Sequence, residues 1–332
     1  MVSEEKIDKI ISDVDNNVYS NIHSIIINQS GKTLLEKYMA GQDYTWGKID
    51  LGVVTHSETT LHDTRSISKS IVSACIGIAI DEALIKSADQ NIFDFFPEYI
   101  KYKQGLKEQL TLNHLLTMTD GLSWDESNTP ISGSENEMES SEDKIEFILS
   151  RESKYKPGQR WNYNSGATEL LAQVILRTTG KNIHEYAKEK LFDPLEITYH
   201  EWAKYQNIDL PAGASGLRLS APDLLKIGLL FLNNGQYDSN QIIPKAWIKN
   251  SLKTSILKEV YQEIKSGYGY QFWTWEQPTN DRSFHIAVAH GLGDQKIYID
   301  QENEIVIVVT SGNYYESNSH WKSIGIVNTI YE

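Results

Sequence analysis

The chain has 332 residues, 40% of them hydrophobic and 23% charged, which is an ordinary globular composition with ample length for a core. Its net charge of −14 argues against nucleic acid as a partner and serves solubility. A single cysteine, Cys75, excludes an intramolecular disulfide, and the sequence contains no apolar run of the ~18 residues a membrane span needs.

Residues 4–19 read as an acidic amphipathic helix, unlike a basic secretory leader. A cytoplasmic location is therefore expected, or a periplasmic or secreted one if a leader has been removed. Apolar runs at 22–28 and 33–39 flank the turn 29–32 and read as a β-hairpin. From residue 66 to about 250 the pattern is mainly helical: 66–83, 111–118, 142–150, 166–179, 182–191, 221–234 and 244–252. Residues 121–142 are polar, with Pro130 and Gly133, and read as a long surface loop or flap. Strand texture returns at 284–289, 295–300 and 304–310, and a last helix is expected at 317–329. The expected fold is mixed α/β (α+β): an antiparallel sheet of about five strands drawn from both chain ends, flanked by helices. Its domains would be 1–65 with 250–332, and a helical insertion 66–249, with the active site at their junction.

Ser66-Ile67-Ser68-Lys69 opens an apolar helical segment. Serine and lysine at i and i+3 share a helix face. A desolvated amine is expected to have a lowered pKa and to accept the hydroxyl proton. The S-x-x-K spacing recurs at Ser3, Ser141, Ser153, Ser255 and Ser319, but only the Ser66 copy leads directly into a long apolar run. Taken alone it fits catalysis or an ordinary helix start. A second segment, Pro157-Gly158-Gln159-Arg160-Trp161-Asn162-Tyr163-Asn164-Ser165-Gly166, is a turn followed by a helix start. Its Tyr163 is either a proton shuttle near an ammonium or an interfacial tyrosine. A third, Ala289-His290-Gly291-Leu292-Gly293-Asp294, lies between two expected strands. It offers either backbone N–H groups for an oxyanion or a plain hairpin turn.

In order and spacing these three segments resemble the serine β-lactamase and penicillin-binding-protein superfamily, in the class C-like branch with esterases and 6-aminohexanoate-oligomer hydrolases. Residues 110–122, 216–228 and 267–270 fit its other landmarks, so the resemblance covers about 20–315. It implies a β-lactamase-like fold, Ser66 as nucleophile, Lys69 and Tyr163 as proton-transfer residues, and backbone N–H groups of Ser66 and Leu292 as oxyanion hole. Ser165, Gly291, His290 and Trp161 are the expected substrate contacts. Two departures stand out. Ser165 replaces the asparagine of the tyrosine motif, and Ala289 replaces the lysine that binds a substrate carboxylate, a role left to Arg218 or to another cation reaching in from a loop. Both changes resemble the esterase and amidase members. Asp125 and Asp294 are expected as solvated carboxylates, with attraction of a substrate ammonium as the alternative. The nine histidines show no metal-ligand spacing, so no metal and no cofactor are expected.

The expected function is a serine hydrolase acting through an acyl-enzyme on a small-molecule ester or amide, with no nucleic acid partner and no membrane span. The alternatives are a true class C-type β-lactamase or D-alanyl-D-alanine carboxypeptidase, and a non-catalytic binding protein on the same fold. Oligomeric state is not legible.

Overall fold

The computed structural model describes residues 2–47, 49–126, 133–261, 264–278, 283–316 and 321–332. Its frame is an eight-stranded antiparallel sheet. The spatial order is Ile256–Tyr261, Ile264–Tyr268, Trp273–Pro278, Ser283–Gly291, Gln295–Asp300, Ile305–Ser311, Ile22–Gln29 and Lys32–Tyr38. The two chain ends meet where Ile25 faces Val309 and Ile27 faces Ile307.

Strand alternation sorts the side chains onto two faces. Ile26, Ala287, Ala289, Ile297, Val306 and Val308 join the core shared with the helical region. Ile25, Ile27, Ile286, Val288, Ile307 and Val309 form a second core with Ile10, Ile326 and Val327. Those last three lie on the terminal helices Glu4–Asp15 and Ile324–Tyr331. The helix Ala221–Leu232 lies against the sheet through Gly228, where an added Cβ would sit 2.5 Å from Val306 Cγ1. The helix Ile67–Asp81 is buried at every position from Ile67 to Ala79, as expected of a helix apolar all round.

Several expectations need correction. The sheet has eight strands because 256–278 adds three. Their charged residues and glycines hide a period-two pattern, and polar residues are tolerated toward a sheet edge. A further hairpin, Ala40–Thr45 with Ile49–Thr55, forms its own two-stranded sheet and packs against the strand Ile22–Gln29 at His23. Residues 121–142 are not simply a surface loop. Leu122, Trp124 and Met138 are buried, and a helix covers Ser134–Ser140; Pro130 lies outside the described residues. The helix expected at 182–191 is Ile183–Ala187 followed by a wider turn, Lys188–Phe192. The last helix begins only at Ile324, and 317–320 lie outside the described residues. Among the described residues, no helix is long and apolar enough to cross a membrane.

Candidate active site

A small three-stranded ribbon delivers Ser66. His62–Asp63 pairs with Leu217–Leu219, which also pairs with Glu201–Trp202. The Thr64 amide and hydroxyl both donate to Leu217 O, at 2.9 and 2.8 Å. Asp63 Oδ1 accepts from Arg65 N at 3.0 Å, and Arg65 adopts φ +50°, a costly conformation for a non-glycine residue. That turn swings the chain into the central helix, with half-buried Ser66 at its head. One turn on, the Lys69 side chain is 1% exposed. Its Nζ donates to Ser66 Oγ at 3.0 Å and to Ala214 O at 2.9 Å.

Tyr163 comes from a loop fastened to the segment 118–124. Asn162 N donates to Met118 O at 2.9 Å, and Asn162 Nδ2 to Trp124 O at 3.1 Å. Asn164 caps the helix Ser165–Thr179 by accepting from Ala167 N at 3.1 Å, and its amide donates to buried Asp120 at 3.1 Å. The cap therefore fixes the residue just before it. The Tyr163 ring lies 5.1 Å from Lys69 Nζ. Trp273 stacks on Tyr163 at 5.6 Å between centroids, Tyr268 meets it edge-on at 6.3 Å, and Trp161 lies 6.2 Å away.

The electrostatics differ from the expected lowered amine. Burial pushes Lys69 down, but Tyr163, Glu135 and Glu126 outweigh it and hold the group above its ordinary value. Burial raises Tyr163, which Lys69 only partly offsets. Burial, and then repulsion from Glu135, push Glu126 up to about 7. Glu126 accepts hydrogen bonds from the Ser165 hydroxyl, Ser165 N and Trp124 Nε1. Sequence reasoning missed Glu126 because it lies in the stretch read as a surface loop and carries no periodic or motif signal. Ser165 thus reaches a carboxylate where the family pattern has an amide.

The third segment closes the site. An added Cβ on Gly291 would fall 2.2 Å from Thr64 O, so the strand Ser283–Gly291 runs hard against the residues leading to Ser66. Leu292 follows in the turn to Gln295, half-buried. Ala289 is buried at the core face and offers no charge. His290 lies 6.3 Å from Trp273, at the edge of the aromatic group around Tyr163. Asp294 is not a solvated carboxylate: it is fully buried and paired with buried Lys296 at 2.7 Å. Arg218 does not stand in for a motif lysine, since it pairs with Glu201 at 2.6 Å and donates to Leu61 O at 2.8 Å. A cation that the sequence did not flag, exposed Lys258, lies 5.2 and 5.0 Å from the rings of Trp161 and Trp273.

A buried lysine thus donates to a serine hydroxyl, with the Tyr163 ring and the strand ending at Gly291 beside the pair. The Beta-lactamase family model matches residues 23–322, and the chain belongs to that family. The 6-aminohexanoate-dimer hydrolase of Paenarthrobacter ureafaciens is 21% identical over 277 residues, covering 79% of this chain and 69% of that protein. EstCE1, a hydrolase with promiscuous acyltransferase activity, superposes with a TM-score of 0.75 at 13% identity, covering 99% of this chain and 98% of that one. The octameric penicillin-binding protein homologue of Pyrococcus abyssi gives 0.70 at 20% identity, covering 98% and 76%. The family contains hydrolases of amide and ester bonds, and at these identities the solved structures speak for the fold alone.

Proposed function

We propose that this protein is a serine hydrolase that cleaves small esters or amides through an acyl-enzyme. The observation that carries the reading is the 3.0 Å contact between Lys69 Nζ and Ser66 Oγ at the head of a buried helix. Ser66 Oγ attacks the substrate carbonyl carbon. Its proton passes to the Tyr163–Lys69 pair and then to the leaving alcohol or amine. The pair accepts this proton only in the form that has already lost one; burial raises Tyr163 and its neighbours raise Lys69, so that form grows as pH rises, and within it the proton is shared between amine and phenolate. The Ser66 and Leu292 N–H groups stabilise the developing oxyanion. Water then releases the acid by the reverse proton path. Ser165, Gly291, His290 and Trp161 border the substrate, at the junction of a sheet domain (1–65 and 250–332) and a helical one (66–249).

Treatment with a fluorophosphonate probe followed by peptide mass spectrometry should place one adduct on Ser66, with loss of p-nitrophenyl butyrate hydrolysis. An adduct on another serine, or none on protein that turns over esters, would overturn the assignment.

A second reading, a β-lactamase or peptidase proper, is favoured by one feature: Lys258 could meet a substrate carboxylate that Ala289 cannot. Comparison of kcat/KM for p-nitrophenyl butyrate and nitrocefin separates the two. Nitrocefin turnover equal to or faster than the ester's, and lost in Lys258→Ala, would establish the carboxylate reading.

A further inference from the structure

We propose that His23, Asp43, His56 and His62 form a buried zinc-type metal site that fastens the segment preceding Ser66. The residues come from four places: the strand Ile22–Gln29, the strand Ala40–Thr45, the residue after Ile49–Thr55, and the strand His62–Asp63. No pair has a metal-ligand spacing in sequence, so spacing alone predicts no metal here. All four are buried, at 0, 2, 6 and 2% exposure in the order named.

One ligand atom from each lies within 4.8 Å of the other three. His23 Nδ1 is 2.8 Å from His62 Nε2, Asp43 Oδ1 is 3.5 Å from His62 Nε2, and the same oxygen is 3.9 Å from His23 Nδ1. Four ligands at the ~2.0–2.2 Å of tetrahedral zinc stand roughly 3.3 Å apart, so these separations straddle the required value. His56 Nε2 is buried with no hydrogen-bond partner. An orphaned buried ring nitrogen beside two imidazoles and a carboxylate points to a ligand that accepts lone pairs.

The surrounding groups suit a metal as well. His23 Nε2 lies 3.2 Å from Asn21 Oδ1, and His62 Nδ1 lies 3.2 Å from Asp63 O and 3.3 Å from the Tyr314 hydroxyl. The outward nitrogens of these two rings are thereby held by oxygen acceptors, leaving the inward nitrogens as lone pairs, the usual orienting pattern around metal-bound histidine. Three imidazoles and one carboxylate suit Zn²⁺ or Co²⁺ better than Ca²⁺ or Mg²⁺. The set has four protein ligands and lies out of water, which marks a structural rather than a catalytic site. Its role follows from position: His62 is four residues before Ser66, and the strained Arg65 turn lies between them.

The test uses the full chain, stripped with a chelator and dialysed against Zn²⁺ or Co²⁺ alone. Elemental analysis should find one metal per chain, and Co²⁺ should give the intense visible bands of a tetrahedral site. His56→Gln should weaken Zn²⁺ binding by about a hundredfold or more, and Asn21→Ala by about tenfold. His184→Gln should change nothing, although His184 also lies 2.7 Å from another histidine, His200. Absence of retained metal in the unsubstituted chain, an octahedral Co²⁺ spectrum, or loss of the metal in His184→Gln would each overturn the proposal. The first two readouts need no variant to fold.

Discussion

Two buried polar clusters lie on either side of the Arg65 turn, and they titrate in opposite directions. Burial pushes Lys69 and His62 the same way, toward their neutral forms. Lys69 nevertheless stays above its ordinary value, because Tyr163, Glu135 and Glu126 surround it. His62 falls to about 3, because burial dominates and His56, Arg218 and Arg65 push the same way. The sign of a buried group's shift is therefore the balance between burial, which favours the neutral form, and the charges of its partners.

The largest expected effect sits in the first cluster. Lys69→Ala and Tyr163→Phe should each lower kcat/KM for p-nitrophenyl butyrate by on the order of 10²–10⁴. If the two act as one unit, the double variant should lose far less than the product of the single losses. Clean multiplicativity in the double-variant comparison would break the idea of a shared proton.

Next in size is the contact that joins the third segment to the first. Gly291→Ala would force a Cβ to within 2.2 Å of Thr64 O, so either the strand or the Ser66 turn must shift. A displacement of this kind should cost about 10²-fold in kcat/KM. A crystal structure of the variant in which Ser66 and Leu292 keep their places would refute the stated cause.

These two predictions rest on features of unequal visibility in the sequence. Ser66, Lys69 and the buried helix were legible because the information is local: one turn of helix and a run from Ile71 to Ile80. The hairpin 22–38 and the strands 284–310 were legible from alternation. Strands 256–278 were not, since Lys258, Glu259, Lys265, Ser266 and Gly267 break the apolar pattern. Glu126 was hidden because its partners, Ser165 and Trp124, are set by tertiary packing. The cluster of three histidines and Asp43 was hidden for a related reason: its four members share no element and meet only in the folded chain.

Stability against pH should separate the clusters in metal-free protein. His23 and His62 have depressed folded-state values, so their contribution is present above about 6.5 and is lost as pH falls toward 3 and then 2. Glu126 and Glu139 have raised values, about 7 and about 8, chiefly from burial and then repulsion by Glu135. Their contribution is complete below about 4.5 and is lost as pH rises through 7 to 8. Tm should therefore peak between these limits and fall on both sides. Glu139→Gln should flatten the alkaline fall alone, and His62→Gln the acid fall alone. Differential scanning calorimetry that shows one variant altering both limbs would mean that the clusters are not independent.

The smallest expected effect is on the activity profile of Glu126→Gln. The Glu126 carboxylate is one of the charges that keep Lys69 protonated, and it also holds Ser165. Glutamine keeps the hydrogen-bonding shape and removes the charge. The Lys69–Tyr163 pair should then release its proton more readily, moving the rising limb of kcat/KM for the ester to lower pH. The maximal rate should change little, since Ser66, Lys69 and Tyr163 remain in place. A loss of maximal rate with no movement of the limb would show that Glu126 acts by positioning Ser165 rather than by charging Lys69.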